Sequence, residues 1–214
     1  MATWMMHLRV AEYFRTKLEV TEIPFIVGNI GPDCGEIIGE WGEYDPPSTI
    51  THWRINECKE EINAEAFFNA YLANREGLSK NQVSFYLGYY IHLLTDIAFY
   101  KKIYSLSQEQ YKELLHKDPQ FKHVIAQDWY DLDHLYLRDN PDFPAFKCIA
   151  KIDTFPNEYL DYYSDTAIIK RIKHLTQFYQ KGGENLDRVY TYLTKKDADL
   201  FIEETCYLIE DILR

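Results

Sequence analysis

The sequence predicts an all-α protein, one compact multi-helix domain over residues 1–214. Three observations carry that expectation. Apolar residues recur at helical rather than alternating spacing nearly throughout. Only 9 Gly and 8 Pro occur, too few for the many turns of a sandwich or barrel. Capping and stop signals also fall at helix-length intervals. With 46% apolar and 16% aromatic residues, the chain can build a real core and is not disordered.

The elements follow in order. Residues 3–19 read as a first helix, on which Trp4, His7, Ala11, Phe14 and Leu18 fall in one stripe. A loop-rich stretch is expected over 24–51, where Gly28, Gly31, Gly35, Gly39 and Gly42 mix with Pro32, Pro46 and Pro47. So long a loop inside a compact domain is usually functional. A helix over 57–75 is closed by Gly77. Ser79 and Gln82 form a capping box that opens a long helix to residue 104, and Ser107 with Gln110 repeats the signature for a short one. Asp118-Pro119 opens a helix to residue 138, and Asn140-Pro141-Asp142-Phe143-Pro144 breaks it. Helices over 156–163, 165–181, 184–193 and 195–213 complete the reading, with no convincing strand.

The charge balance, 23 Lys and Arg against 34 Asp and Glu, gives −11. Broad acidity repels phosphate backbones, so no stable nucleic-acid complex is expected. Lys170, Arg171 and Lys173 read as a solvated helix face. No apolar run approaches the ~18 residues of a membrane span. Residues 1–9 lack the pattern of a signal peptide. Cys34, Cys58, Cys148 and Cys206 form no CxxC pair, which fits reduced thiols and a cytoplasmic location.

Chemistry-bearing residues on faces that should be buried are the informative ones. His7 sits mid-stripe on the first helix; a core histidine bonded to a carbonyl is the bland alternative to a ligand. The long helix is apolar on every side, yet carries His92 and Asp96 four residues apart on one face, with Gly88 a turn earlier. A mutual hydrogen bond or a shared cation both satisfy that pair. Asp33 lies in the glycine-rich loop and His52 just before the next helix, either of which could equally be ordinary loop residues. Asp128 falls in the apolar face of the helix after Pro119, and Asp131 at its margin, while Asp133 and His134 point to the polar side. A buried Asp128 needs either a cation or a firm partner such as Arg or Tyr. Imidazoles and carboxylates together suit zinc, manganese or iron, and six ligands favour two ions around a bridging carboxylate.

Four ordered blocks then resemble a known family: Trp4-Met5-Met6-His7-Leu8-Arg9-Val10-Ala11-Glu12, Phe25-Ile26-Val27-Gly28-Asn29-Ile30-Gly31-Pro32-Asp33, Ile50-Thr51-His52-Trp53 and Gly88-Tyr89-Tyr90-Ile91-His92-Leu93-Leu94-Thr95-Asp96. They look like the zinc-dependent phospholipase C family, which shares its all-α fold with single-strand-specific zinc nucleases. The resemblance implies one metal on Asp33, His52, His92 and Asp96. It also implies that Asp96 bridges to a second metal taking His7, and that Asp33 orients or deprotonates the attacking water. The chain departs from the family at several points, the membrane-binding extension of some members being absent as well. Trp4 is internal where secreted members ligate through a terminal tryptophan, and no His-x-x-x-Glu follows Asp96. Asp128 and Asp131 then either replace part of that later set or the third metal is missing.

The expected function is a metal-dependent, zinc-favoured phosphoesterase acting through activated water on a small phosphate ester or lipid head group. Trp41 and Tyr44 near the loop are candidates for substrate contact or for packing. The alternative is a non-catalytic helical metal-binding module. A helical phosphohydrolase with an adjacent His-Asp pair is disfavoured, because no such dipeptide occurs.

Overall fold

Helix α5 (Lys80–Phe99) is buried over most of its length and forms the axis on which several other helices pack. It belongs to a computed structural model that describes residues 1–38, 43–56 and 61–214. Its start is the expected capping box: Gln82 N donates to Ser79 Oγ at 3.2 Å and Ser79 N to Gln82 Oε1 at 3.0 Å. A π-helical segment, Tyr100–Tyr104, ends it and leads into α6 (Ser105–Gln110).

Helix α2 (Glu22–Ile30) lies against α5 with the two backbones in direct contact. A Cβ on Gly88 would sit 2.1 Å from Phe25 O, and one on Gly28 2.0 Å from Phe85 O. Only glycine permits that approach. The helix corrects the expectation of a loop from residue 24. Gly28 and Asn29 lower local helix propensity, but burial of Phe25, Ile26, Val27 and Ile30 supplies what propensity lacks. Pro24 sits in the first turn, where its missing N–H costs nothing.

Helix α1 (Trp4–Arg15), shorter than the expected 3–19, packs on α2 and α5, and α11 (Lys195–Leu213) packs on α1. Past α2 the chain makes a 3-10 turn (Gly31–Asp33) and an antiparallel hairpin not foreseen from alternation, β1 (Glu36–Ile38) with β2 (Glu43–Asp45). Then come α3 (Ser48–Thr51) and α4 (Ala64–Tyr71), the latter capped by Asn63. Residues 57–60, including Cys58, and the loop positions Gly39, Trp41 and Gly42 lie outside the described residues.

The second half holds α7 (Lys112–Lys117), α8 (Phe121–Asp139), a short unexpected α9 (Pro144–Ile149) and α10 (Ala167–Gln180). Two expected helices are irregular. Over 156–163 the Asn157 side chain takes N–H groups of Tyr159 and Leu160 and donates to Leu160 O and Tyr163 O, offering the backbone an alternative to helix. Over 184–193 Asn185 adopts φ +50° and Arg188 is drawn onto α8. The chain is mostly helical around one buried core. Among the described residues no helix is long and apolar enough to cross a membrane.

Candidate metal centre

Five side chains from four segments meet beside the α2–α5 contact. His7 comes from α1, Asp33 from the 3-10 turn, His52 from the end of α3, and His92 with Asp96 from one face of α5. His7, His92 and Asp96 form one group, and Asp33, His52 and His92 a second. In each, one ligating atom per residue lies within 4.8 Å of the others, so either group could hold a metal ion.

The backbone fixes these positions. The Gly88 approach brings Asn29 O to 2.7 Å from His92 Nδ1. A carbonyl only accepts, so Nδ1 carries the proton and the Nε2 lone pair faces the cluster. Thr51 Oγ1 lies 3.0 Å from His52 Nδ1 and can accept its N–H, leaving His52 Nε2 free in the same sense. Tyr89 OH donates to Thr51 O, and Tyr163 OH donates to Gly31 O at 2.7 Å. These two phenols hold the segments that carry His52 and Asp33. Trp53, directly after His52, sits at φ +51°, the kind of backbone cost that persists where a site needs it.

Asp96 stands at the middle. Its Oδ1 accepts the Ala2 N–H at 2.7 Å and lies 3.3 Å from His7 Nε2. Its Oδ2 is 3.4 Å from His92 Nε2 and 3.5 Å from His52 Nε2. His52 Nε2 is also 3.4 Å from Asp33 Oδ1. The His7 and His92 rings stack at 3.6 Å between centroids.

None of the imidazole–carboxylate approaches is a good hydrogen bond. His7 Nδ1 and Nε2, His52 Nε2, His92 Nε2 and Asp96 Oδ2 are buried without a partner. Each orphan of this kind costs about 1–3 kcal/mol unless something binds it. Several orphans facing one another is the pattern a cation relieves. The charge states of two imidazoles and both carboxylates agree. Burial, then His92, lowers His7 to about 4, and burial lowers His52. Burial opposes ionisation of Asp96 and Asp33, but the imidazoles outweigh it and hold both below the usual carboxylate range. Burial also pulls His92 down, yet Asp96 and Asp33 bring it above its ordinary value. Neutral His7 and His52 with ionised carboxylates are what a divalent ion requires. Nitrogen and oxygen donors without thiolate suit zinc, manganese or iron.

A cleft of about 300 Å³ opens onto the centre, lined by Asp33 and His52 and walled by Trp4, Tyr44, Trp129 and Tyr130, with Arg171 among its lining residues. Tyr44 thus faces the cleft as one of its candidate contacts. Arg171 corrects the solvated-face expectation, being buried under Trp4.

The α8 acids do not belong to this centre. Asp128 Oδ1 pairs with Arg188 Nη1 at 2.6 Å, and its Oδ2 accepts the backbone N–H groups of Tyr192 and Leu193. Asp131 takes Arg188 Nη2 at 2.6 Å and Gln127 Nε2 at 2.7 Å. Both carboxylates are satisfied by partners, which overturns their candidacy as ligands. Asp133 and His134 are buried instead of facing solvent, because Phe178 and Tyr179 of α10 cover that side of α8. The residues that sequence reasoning missed are supports: Asn29, Thr51, Tyr89 and Tyr163. Only Gly88, a turn before His92, signalled any of them.

No protein-family model, curated protein or solved structure matches the chain, so the residues of the centre carry the functional argument themselves.

Proposed function

We propose that the chain is a metal-dependent hydrolase of small phosphate esters, with zinc favoured and two ions held about Asp96. The observation that carries this reading is the set of orphaned buried atoms on His7, His52, His92 and Asp96, turned toward one another behind a cleft that Asp33 and His52 line. The resemblance of four sequence blocks to the zinc-dependent phospholipase C family supports it. His52, His92, Asp33 and Asp96 would hold one ion, and His7 with Asp96 the other. Divalent ions in such a set supply a water of pKa about 7 and screen charge on phosphoryl oxygens.

The chain's own residues do the rest. Asp33 is ionised at neutral pH and lines the cleft, so a carboxylate oxygen can orient the attacking water and accept its proton. Asn29 O and Thr51 Oγ1 fix the two imidazoles and so limit reorganisation. Trp4, Tyr44 and Trp129 wall the cleft with aromatic rings. The cleft's size admits a small ester or a head group.

Elemental analysis after exhaustive dialysis, followed by a screen of aryl phosphate esters, tests the reading. The expected result is at least one transition metal per chain, with hydrolysis that chelation abolishes and added metal restores. Less than one ion per chain overturns it. Stoichiometric metal with no hydrolysis across the screen turns the centre into a structural ion site.

A further inference from the structure

Two adjacent cations on α10 have opposite fates. Lys170 is spent on the surface, with its Nζ 2.8 Å from Glu36 Oε2. Arg171 turns inward and is only 9% exposed. Its Nη2 donates to Gly35 O at 2.7 Å, two residues beyond Asp33. Its guanidinium lies 5.5 Å from the centre of the Trp4 ring and 5.9 Å from that of Tyr44. Among the described residues no carboxylate forms an ion pair with it, although it shares the cleft with Asp33 and His52. A guanidinium has five N–H donors in a rigid fork, and one bond to a carbonyl leaves most of them for a ligand. Burying an unpaired cation is expensive unless an anion arrives to meet it.

The same geometry disfavours another ligand class at two of the cleft's aromatic walls. Aromatic walls of this kind bind quaternary ammonium groups through their ring faces, but here Arg171 already stands against Trp4 and Tyr44. An incoming ammonium would meet a cation where it needs a π face.

We propose that Arg171 is the anion anchor of this cleft, selecting small phosphomonoesters and turning away substrates with a quaternary-ammonium head group. The inference rests on the reading of the cleft as the substrate site of a phosphate-ester hydrolase. A terminal phosphoryl group has three non-bridging oxygens, enough to face both the Asp33–His52 wall and the Arg171 fork. A diester has one fewer and adds a second substituent to a small cleft. The tether to Gly35 O holds the fork in place, so little ordering is needed when the anion binds.

The test uses the protein as purified, with inorganic phosphate and choline chloride as probes followed by calorimetry. Aryl phosphate and aryl phosphorylcholine serve as substrates. Wild type binds phosphate and not choline. Arg171→Gln weakens phosphate binding about tenfold or more, the loss of a charge-assisted hydrogen bond, and raises KM for the monoester more than it lowers kcat. Arg171→Lys, which keeps the charge and can keep the Gly35 tether, recovers part of the affinity. A purely structural Arg171 would lower Tm in Arg171→Gln and leave phosphate affinity in the folded protein unchanged, which overturns the proposal. So does choline that competes with phosphate in wild type. Phosphate binding lost in Arg171→Gln without any hydrolysis by wild type keeps the anion site and sinks the hydrolase reading. Hydrolysis with unaltered phosphate affinity in that variant does the reverse.

Discussion

Helices α5 and α8 each bury carboxylates on an apolar face, and the protein treats them in opposite ways. On α8, Asp128 and Asp131 share the Arg188 guanidinium, and the second Asp128 oxygen is filled by two backbone N–H groups. On α5, Asp96 faces three imidazoles at 3.3–3.5 Å and keeps a buried oxygen without a partner. The first arrangement is complete as it stands. The second leaves polar atoms unmatched in a group that could hold a metal ion. A buried acid therefore marks a functional site only when its own protein leaves it unsatisfied.

His92→Ala breaks the comparison most severely. It removes an imidazole that both candidate groupings contain and that the first proposed ion would take. Bound metal should fall, and hydrolysis with it: several kcal/mol of charge stabilisation corresponds to on the order of 10³-fold in rate. Metal content beside a circular-dichroism check of the fold reads both. Unchanged metal and rate in a folded variant would end the assignment of the centre.

Arg188→Met is the matching change on α8. Two acids lose their cation, a loss of about 2–4 kcal/mol once the partial exposure of Arg188 is allowed for. Urea unfolding measures it. Metal content should not move, and a fall in it would return Asp128 and Asp131 to the centre. Smaller again is Thr51→Val, which leaves His52 in place but removes the oxygen that orients its ring. Metal affinity should drop by about 10–100-fold, read by competition with a chromogenic chelator, with stability nearly unchanged.

Much of the centre was legible because it obeys local rules. His92 and Asp96 share a face by their spacing, and His7 sits in an apolar stripe whose period is plain. Asp128 obeyed the same rules, and its partner was invisible because it lies 60 positions on, in an irregular segment. Arg171 was misread for a related reason. Its neighbours Lys170 and Lys173 suggested a wet face, and only the covering of that position by Trp4 and the hairpin shows otherwise. Helix α2 escaped because glycine and asparagine signal turns locally, whereas here glycine serves a helix–helix contact. Local pattern fixes which face of an element is buried; what buries it is a tertiary fact.

A third acid shows that α8 has a further solution, and it gives the smallest expected effect. Asp133 forms no ion pair among the described residues, and Arg9 only modestly opposes its rise. Thr3 Oγ1 donates to its Oδ1 and Tyr179 OH to its Oδ2, both at 2.7 Å. Burial outweighs these bonds and pushes its carboxyl up to about 7. The folded protein therefore holds a proton there that the unfolded chain, titrating near the ordinary carboxylate value, releases earlier. Between about pH 4 and 7 the native state binds more protons, so this group's contribution to stability falls as pH rises and is fully lost above 7. His7, lowered to about 4, acts the other way, favouring the fold as pH rises toward 6.5. The difference between wild type and Asp133→Asn isolates Asp133, because His7 is common to both. An asparagine can still accept from Thr3 or Tyr179 and has no charge to desolvate. Its stability relative to wild type should grow between pH 4 and 7 by roughly 1–2 kcal/mol, relaxation and water entry trimming the full burial penalty. Parallel urea midpoints for the two proteins across that range would mean that Asp133 is paired as completely as Asp128, by a partner other than the two hydroxyls.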